Sequence, residues 1–93
     1  MALEYDISEN LKEIIKKLVK RDPQRSEILW KKIRQIVASD EFVIEHYKNL
    51  RHNQSDLKRV HIDKSFVLTF KYYKDKKVIL FEDFDHHDNI YRK

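Results

Sequence analysis

The chain contains no cysteine. Disulfides and thiolate metal sites are therefore excluded, and a metal would have to be held by histidine and carboxylate. Glycine is also absent, where average usage of about 7% would place roughly six in a chain of this size. The phosphate cradles of Walker and dinucleotide-binding loops need glycine, so those nucleotide motifs are excluded too. Abundant lysine and glutamate without chain-loosening glycine suit a thermophilic protein. Proline occurs once, at Pro23. No apolar run approaches the roughly 18 residues needed to span a bilayer. The opening MALEYDISEN lacks the basic and apolar regions of a secretory signal. Together these absences predict a cytoplasmic protein that engages no membrane.

What is present is charge and a modest apolar complement. The 93 residues suit one domain, spanning 1–93, with a thin two-layer core. The net charge is +4, unevenly spread. Residues 1–45 balance, with 9 basic and 9 acidic groups. Residues 46–77 carry 9 basic against 3 acidic, and residues 78–93 carry 2 against 4. The middle of the chain is thus the basic surface. Such a surface suits a phosphate polymer, through Coulomb attraction and counterion release, and equally a solvated face rich in lysine.

Leu3 and Tyr5 alternate with Glu4 and Asp6, as in a short strand. Asp6 with Glu9, or Ser8 alone, can cap a helix start. Leu11, Ile14, Ile15, Leu18 and Val19 then recur at helical spacing. Asp22-Pro23 breaks that stripe and opens a second helix, whose stripe is Leu29, Ile33, Ile36 and Val37. Residues 40–56 have no clean period beyond a possible helical turn near Phe42 to Tyr47. Three strands follow: 57–62 (LKRVHI), 66–73 (FVLTFKYY) and 78–84 (VILFEDF). The predicted class is α+β: a helical hairpin on one face of a mainly antiparallel four-stranded sheet. The other face is left for solvent or a ligand.

Three groups carry candidate chemistry. Arg51-His52 and Lys58-Arg59 surround His61 on the basic stretch. Asp63-Lys64-Ser65-Phe66 forms the entry to the long strand. His86-His87 with Tyr91 closes the chain. In a meander, the ends of the 57–62 and 78–85 strands lie at the same end of the sheet, so His61 and His87 are expected to meet over the open face. Paired imidazoles beside basic groups suit RNA cleavage by internal transesterification: one takes the 2′-hydroxyl proton and the other protonates the leaving 5′-oxygen. Arginine or lysine stabilises the phosphorane, and an aromatic ring can stack an unpaired base. The simpler alternative for His61 is polar surface, and for Tyr91 a terminal anchor. His86 and His87 occupy adjacent strand positions facing opposite ways, which disfavours joint metal ligation.

From LEYDISENLKEIIKKLVKRDP to DFDHHDNIYRK the chain resembles the RelE/ParE superfamily of type II toxins. LKRVHIDKSFVLTF looks most like the YafQ-type branch, and DHHDNIY resembles the terminal pattern of a histidine followed by an aromatic. The resemblance implies a ribosome-dependent mRNA endonuclease without cofactor or metal. Its partners would be the ribosome with mRNA in the A site and a small, acidic cognate antitoxin. His61 and His87 match catalytic positions, with His86 also permitted by the spacing. Tyr91 matches the terminal aromatic, Phe66 the strand-entry aromatic, and Ser65 a position that is acidic in the YafQ-like branch. The third-strand arginine of many relatives is replaced here by Phe66-Val67-Leu68. That departure shifts the work to histidine, with Arg51, His52, Lys58, Arg59 and Lys64 toward RNA and Asp63 in support. The alternatives are a ParE-like gyrase inhibitor and a non-catalytic RNA- or protein-binding module.

Overall fold

A computed structural model describes residues 3–50 and 57–92. Arg51 and His52 lie outside the described residues. The expected element order is present, the helical turn expected near Phe42 to Tyr47 falls at Glu41–Glu45, and a further short helix follows the last strand. A first strand, β1 (Glu4–Ile7), leads into α1 (Glu9–Arg21) and α2 (Pro23–Ala38). A single turn, α3 (Glu41–Glu45), precedes the meander β2 (Leu57–Ile62), β3 (Phe66–Tyr73) and β4 (Val78–His86). A short helix, α4 (His87–Arg92), follows β4 directly.

The helix ends follow from local chemistry. Of the two sequence candidates, Ser8 caps α1: its Oγ accepts the Leu11 amide at 3.0 Å. The same hydroxyl donates to the Glu82 carbonyl at 2.7 Å, tying the cap to the sheet. Asp22 serves two helices. Its amide donates to the Leu18 carbonyl at 2.8 Å, and its Oδ1 accepts the Arg25 amide at 3.1 Å. Pro23 occupies the first turn of α2, where its missing N–H has no intrahelical partner to lose.

Among the described residues the sheet order is β1-β4-β3-β2. β1 pairs in parallel with β4, and the other neighbours are antiparallel. A bulge between Thr69 and Phe70 shifts the β3–β4 register. The helical hairpin covers one face. Leu11, Leu29, Ile33 and Ile36 from the helices meet Leu68, Phe70, Ile79 and Phe81 from the sheet in one cluster. Ile44 of α3 joins it. Burying each such side chain contributes roughly 1.5–3 kcal/mol. The outer side of β2 is not bare: Leu50 N donates to Leu57 O at 2.8 Å, and Arg59 N donates to Lys48 O at 2.9 Å.

On the second face, among the described residues, α4 folds back against β3 and β4. Ile90 and Val67 are buried there, outside the helix-side cluster. Among the described residues of this glycine-free chain, Asp63 (φ 53°), Lys64 (φ 63°) and Lys77 (φ 55°) take left-handed backbone at the turns. Among the described residues no helix is long and apolar enough to cross a membrane.

Candidate active site on the open sheet face

The register decides which side chains share a face. His61 pairs with Val67 and Arg59 with Thr69, so these four lie on the open face. Lys58, Val60 and Ile62 alternate to the helix side. At the end of β4 the chain bends into α4, and His86 and His87 separate. The ring of His86 stays on the helix side, edge-on to Phe66 with centroids 5.7 Å apart. The ring of His87 crosses to the open face and stacks on His61, with centroids 5.7 Å apart and planes 28° off parallel. Tyr91, one turn along α4, packs against the His87 ring with centroids 4.7 Å apart. Both His61 and His87 are exposed to solvent.

Backbone as well as side chain holds this pair. The His87 amide donates to the Ser65 carbonyl at 2.7 Å, joining the end of β4 to the turn between β2 and β3. Within that turn the Ser65 amide donates to the Asp63 carbonyl at 2.6 Å. His87 Nδ1 lies 3.4 Å from Asp88 Oδ1, an ion pair when the ring is protonated. His86 Nδ1 instead accepts the Asp88 amide at 3.2 Å. The His61 pKa lies below the ordinary 6.5, first because partial desolvation penalises the charged ring, then because of the Arg59 and His87 charges. A neutral His61 at physiological pH is the form that can accept a proton.

The remaining candidates divide. Arg59 is half-buried beside His61, and its Nε has no hydrogen-bond partner among the described residues. Lys64 is exposed at the turn. Lys58, expected to face phosphate, points the other way. Its Nζ donates to the Glu45 and Tyr47 carbonyls, both at 3.2 Å, and reaches Asn49 Oδ1 at 3.5 Å. Phe66 is also on the helix side. It stacks on Phe84 at 5.2 Å, and the Arg25 guanidinium covers it at 4.2 Å, so it supports the strand entry. Asp63 ion-pairs with Arg25 at 3.3 Å. Arg25 escaped the sequence reading because it lies on a helix far from the basic stretch. Only its place three residues after a cap aspartate hinted at a fixed position. The open face also carries acid: Glu82 lies 3.5 Å from Lys71, and Asp83 accepts from Asn10 at 3.2 Å.

A helical hairpin over a mixed sheet, with two stacked histidine rings where the last strand ends, defines an α+β protein with a candidate site on its open face. Over 90 residues the chain is 49% identical to "Putative toxin RelE4" of Methanocaldococcus jannaschii, covering 97% of this chain and 92% of the relative. Over 75 residues it is 41% identical to an uncharacterized protein of Methanosarcina mazei, covering 81% and 83% of the two chains. Its fold matches that of a mutant E. coli toxin RelE in the free state, with a TM-score of 0.70 at 19% identity over 99% of this chain and 93% of that one. No protein-family model matches the chain. The chain belongs to the RelE superfamily of toxins.

Proposed function

We propose that the chain is the toxin of a type II toxin–antitoxin pair and cleaves messenger RNA on the ribosome, with His61 and His87 as its proton-transfer pair. The observation that carries this reading is the stacking of the two imidazoles at 5.7 Å on an exposed sheet face. His61, whose pKa is lowered by burial and by Arg59 and His87, is the base. It takes the proton of a 2′-hydroxyl, and the freed oxygen attacks the adjacent phosphorus. The bond to the 5′-oxygen breaks as His87, entering protonated, gives its proton to that oxygen. The products are a 2′,3′-cyclic phosphate and a 5′-hydroxyl. DNA lacks the attacking group and is spared.

Arg59 and Lys64 meet the phosphate, and charge developing on the phosphorane is stabilised by the nearer guanidinium. Tyr91 backs the His87 ring. Lys58 and Phe66 act through the scaffold instead. The basic face suits a small acidic antitoxin, and the ribosome presents the message in its A site. The run HIDKSF supports a YafQ-type relationship within the superfamily. The protein works in the cytoplasm, where both partners are found. Gyrase inhibition would leave the imidazole pair without a task.

The test is purified protein added to ribosomes programmed with a defined message, with new ends mapped by primer extension. Wild type is expected to cut within the A-site codon, and His87→Ala to cut about 10²–10⁴-fold more slowly. Equal cutting by a folded His87→Ala removes His87 from the chemistry. No cutting by folded, antitoxin-free wild type refutes the endonuclease reading and favours gyrase inhibition or a non-catalytic binding module.

A further inference from the structure

We infer that Arg25 is a positioning residue, which holds His87 against His61 by bracing the turn between β2 and β3 from the helical layer. The catalytic meaning of this brace rests on the endonuclease reading above. The brace itself does not.

The contacts form a chain. Arg25 Nη1 lies 2.7 Å from Asp22 Oδ2, and Asp22 is fixed because it caps α1 and α2 together. Arg25 Nη2 reaches Asp63 Oδ2 at 3.3 Å, while its guanidinium lies over Phe66 at 4.2 Å. Those two residues bracket the turn. Between them, Lys64 holds left-handed backbone with no glycine to ease it, as Asp63 does itself. Such backbone persists only where its surroundings enforce it. Ser65, next along, offers its carbonyl to the His87 amide at 2.7 Å. His61, on β2, lies two residues before Asp63 in the turn. Movement of the turn therefore shifts His87 relative to His61.

Arginine is suited to this post and lysine is not. The planar fork serves two carboxylates at once and still presents a face to an aromatic ring. A lysine ammonium supplies a single point charge. The small polar recess between α2 and the turn is lined by Asp22, Gln24, Arg25, Ile28 and Asp63, which places Arg25 at the seam between the layers. The contacts of Arg25 run to Asp22, Asp63 and Phe66, so its effect on chemistry is indirect.

Arg25→Gln, Arg25→Lys and Asp63→Asn are the variants, each checked for folding by circular dichroism and thermal melting. Asp63→Asn cuts the same link from the turn side and leaves the Asp22 cap intact, so it decides the matter if Arg25→Gln does not fold. Two readouts are taken by NMR without any substrate: exchange of the His87 amide and the ring contact between His61 and His87. Expected are faster His87 amide exchange by about tenfold or more and loss of the ring contact in Arg25→Gln and Asp63→Asn. Arg25→Lys should fall between these and wild type. In the ribosome assay the same variants should lose about ten- to a hundredfold in kcat with KM little changed, because misplacement of a reacting group by an ångström has that scale of effect. A His87 amide and ring contact unchanged in folded Arg25→Gln or Asp63→Asn overturn the inference, whatever happens to cleavage. Altered NMR readouts with inactive wild type uphold the brace and reject the endonuclease reading.

Discussion

Replacing Lys58 by methionine separates the two tasks a lysine on this strand could perform. The sequence assigns Lys58 to phosphate, by its place in the basic stretch. In the fold its ammonium sits among the Glu45 carbonyl, the Tyr47 carbonyl and Asn49 Oδ1. The last carbonyls of a helix have no intrahelical donors, and α3 is only one turn long. Lys58 supplies them, and so pins α3 and the following segment to the edge of the sheet. Methionine keeps the stem's length and packing and removes the donors. Each hydrogen bond has a net value of about 0.5–1.5 kcal/mol, and two short ones are lost here at a partly exposed position. The expected loss is about 1–2 kcal/mol, with the long contact to Asn49 adding little. For a domain of this size, 1 kcal/mol moves Tm by about 4–8 °C. Differential scanning calorimetry of wild type and Lys58→Met should therefore show a drop within or somewhat above that range. RNA binding titrated against salt concentration should keep its slope, because no phosphate contact has been removed. An unchanged Tm together with a shallower slope would refute the structural role and restore Lys58 to the phosphate-facing set.

Two other outcomes are expected. Lys77→Gly relieves left-handed backbone at the β3–β4 hairpin, worth about 1–2 kcal/mol, against roughly 0.5–1 kcal/mol of added unfolded-state entropy. A small rise in Tm is expected by calorimetry, and a clear fall would show that the turn is not strained there. NMR titration should place the His61 pKa below 6.5, moving upward in Arg59→Gln and His87→Ala as their charges are removed. A folded-state pKa below the unfolded value means that His61 contributes stability above pH 6.5, lost as pH falls through the folded pKa. A His61 pKa at or above 6.5 would remove the argument for His61 as the base.

The legibility of the fold varied with the range of the cause. Helical stripes and strand alternation are local, and they place α1, α2 and the meander closely. The meeting of His61 and His87 was also legible, since two antiparallel neighbours of one strand must end at the same edge. The separation of His86 from His87 needed the bend into α4, and nothing in HDNIYR forms a stable helix alone. That helix exists because Ile90 finds a place over the open face. Lys58 shows a missed consequence of a correct pattern. Once Val60 and Ile62 are assigned to the core face, period two sends Lys58 with them. Arg25 was invisible because its partners, Asp63 and Phe66, are about forty positions away and meet it only after the layers pack. Parallel pairing of β1 with β4 likewise depends on packing across the whole chain.

That pairing has a temporal consequence. β4 is the strand between β1 and β3, yet it follows every other strand in the chain. Until it arrives, β1 has no strand beside it and β3 has a bare edge. The Ser8–Glu82 bond that locks the first helix to it spans 74 positions, a loop whose closure is entropically costly and slow. During synthesis the helical hairpin can form early, but the sheet cannot close and the two imidazoles cannot meet. The order of the strands therefore leaves the candidate centre unassembled until β4 joins the sheet, so that a chain made only as far as β3 carries no histidine pair.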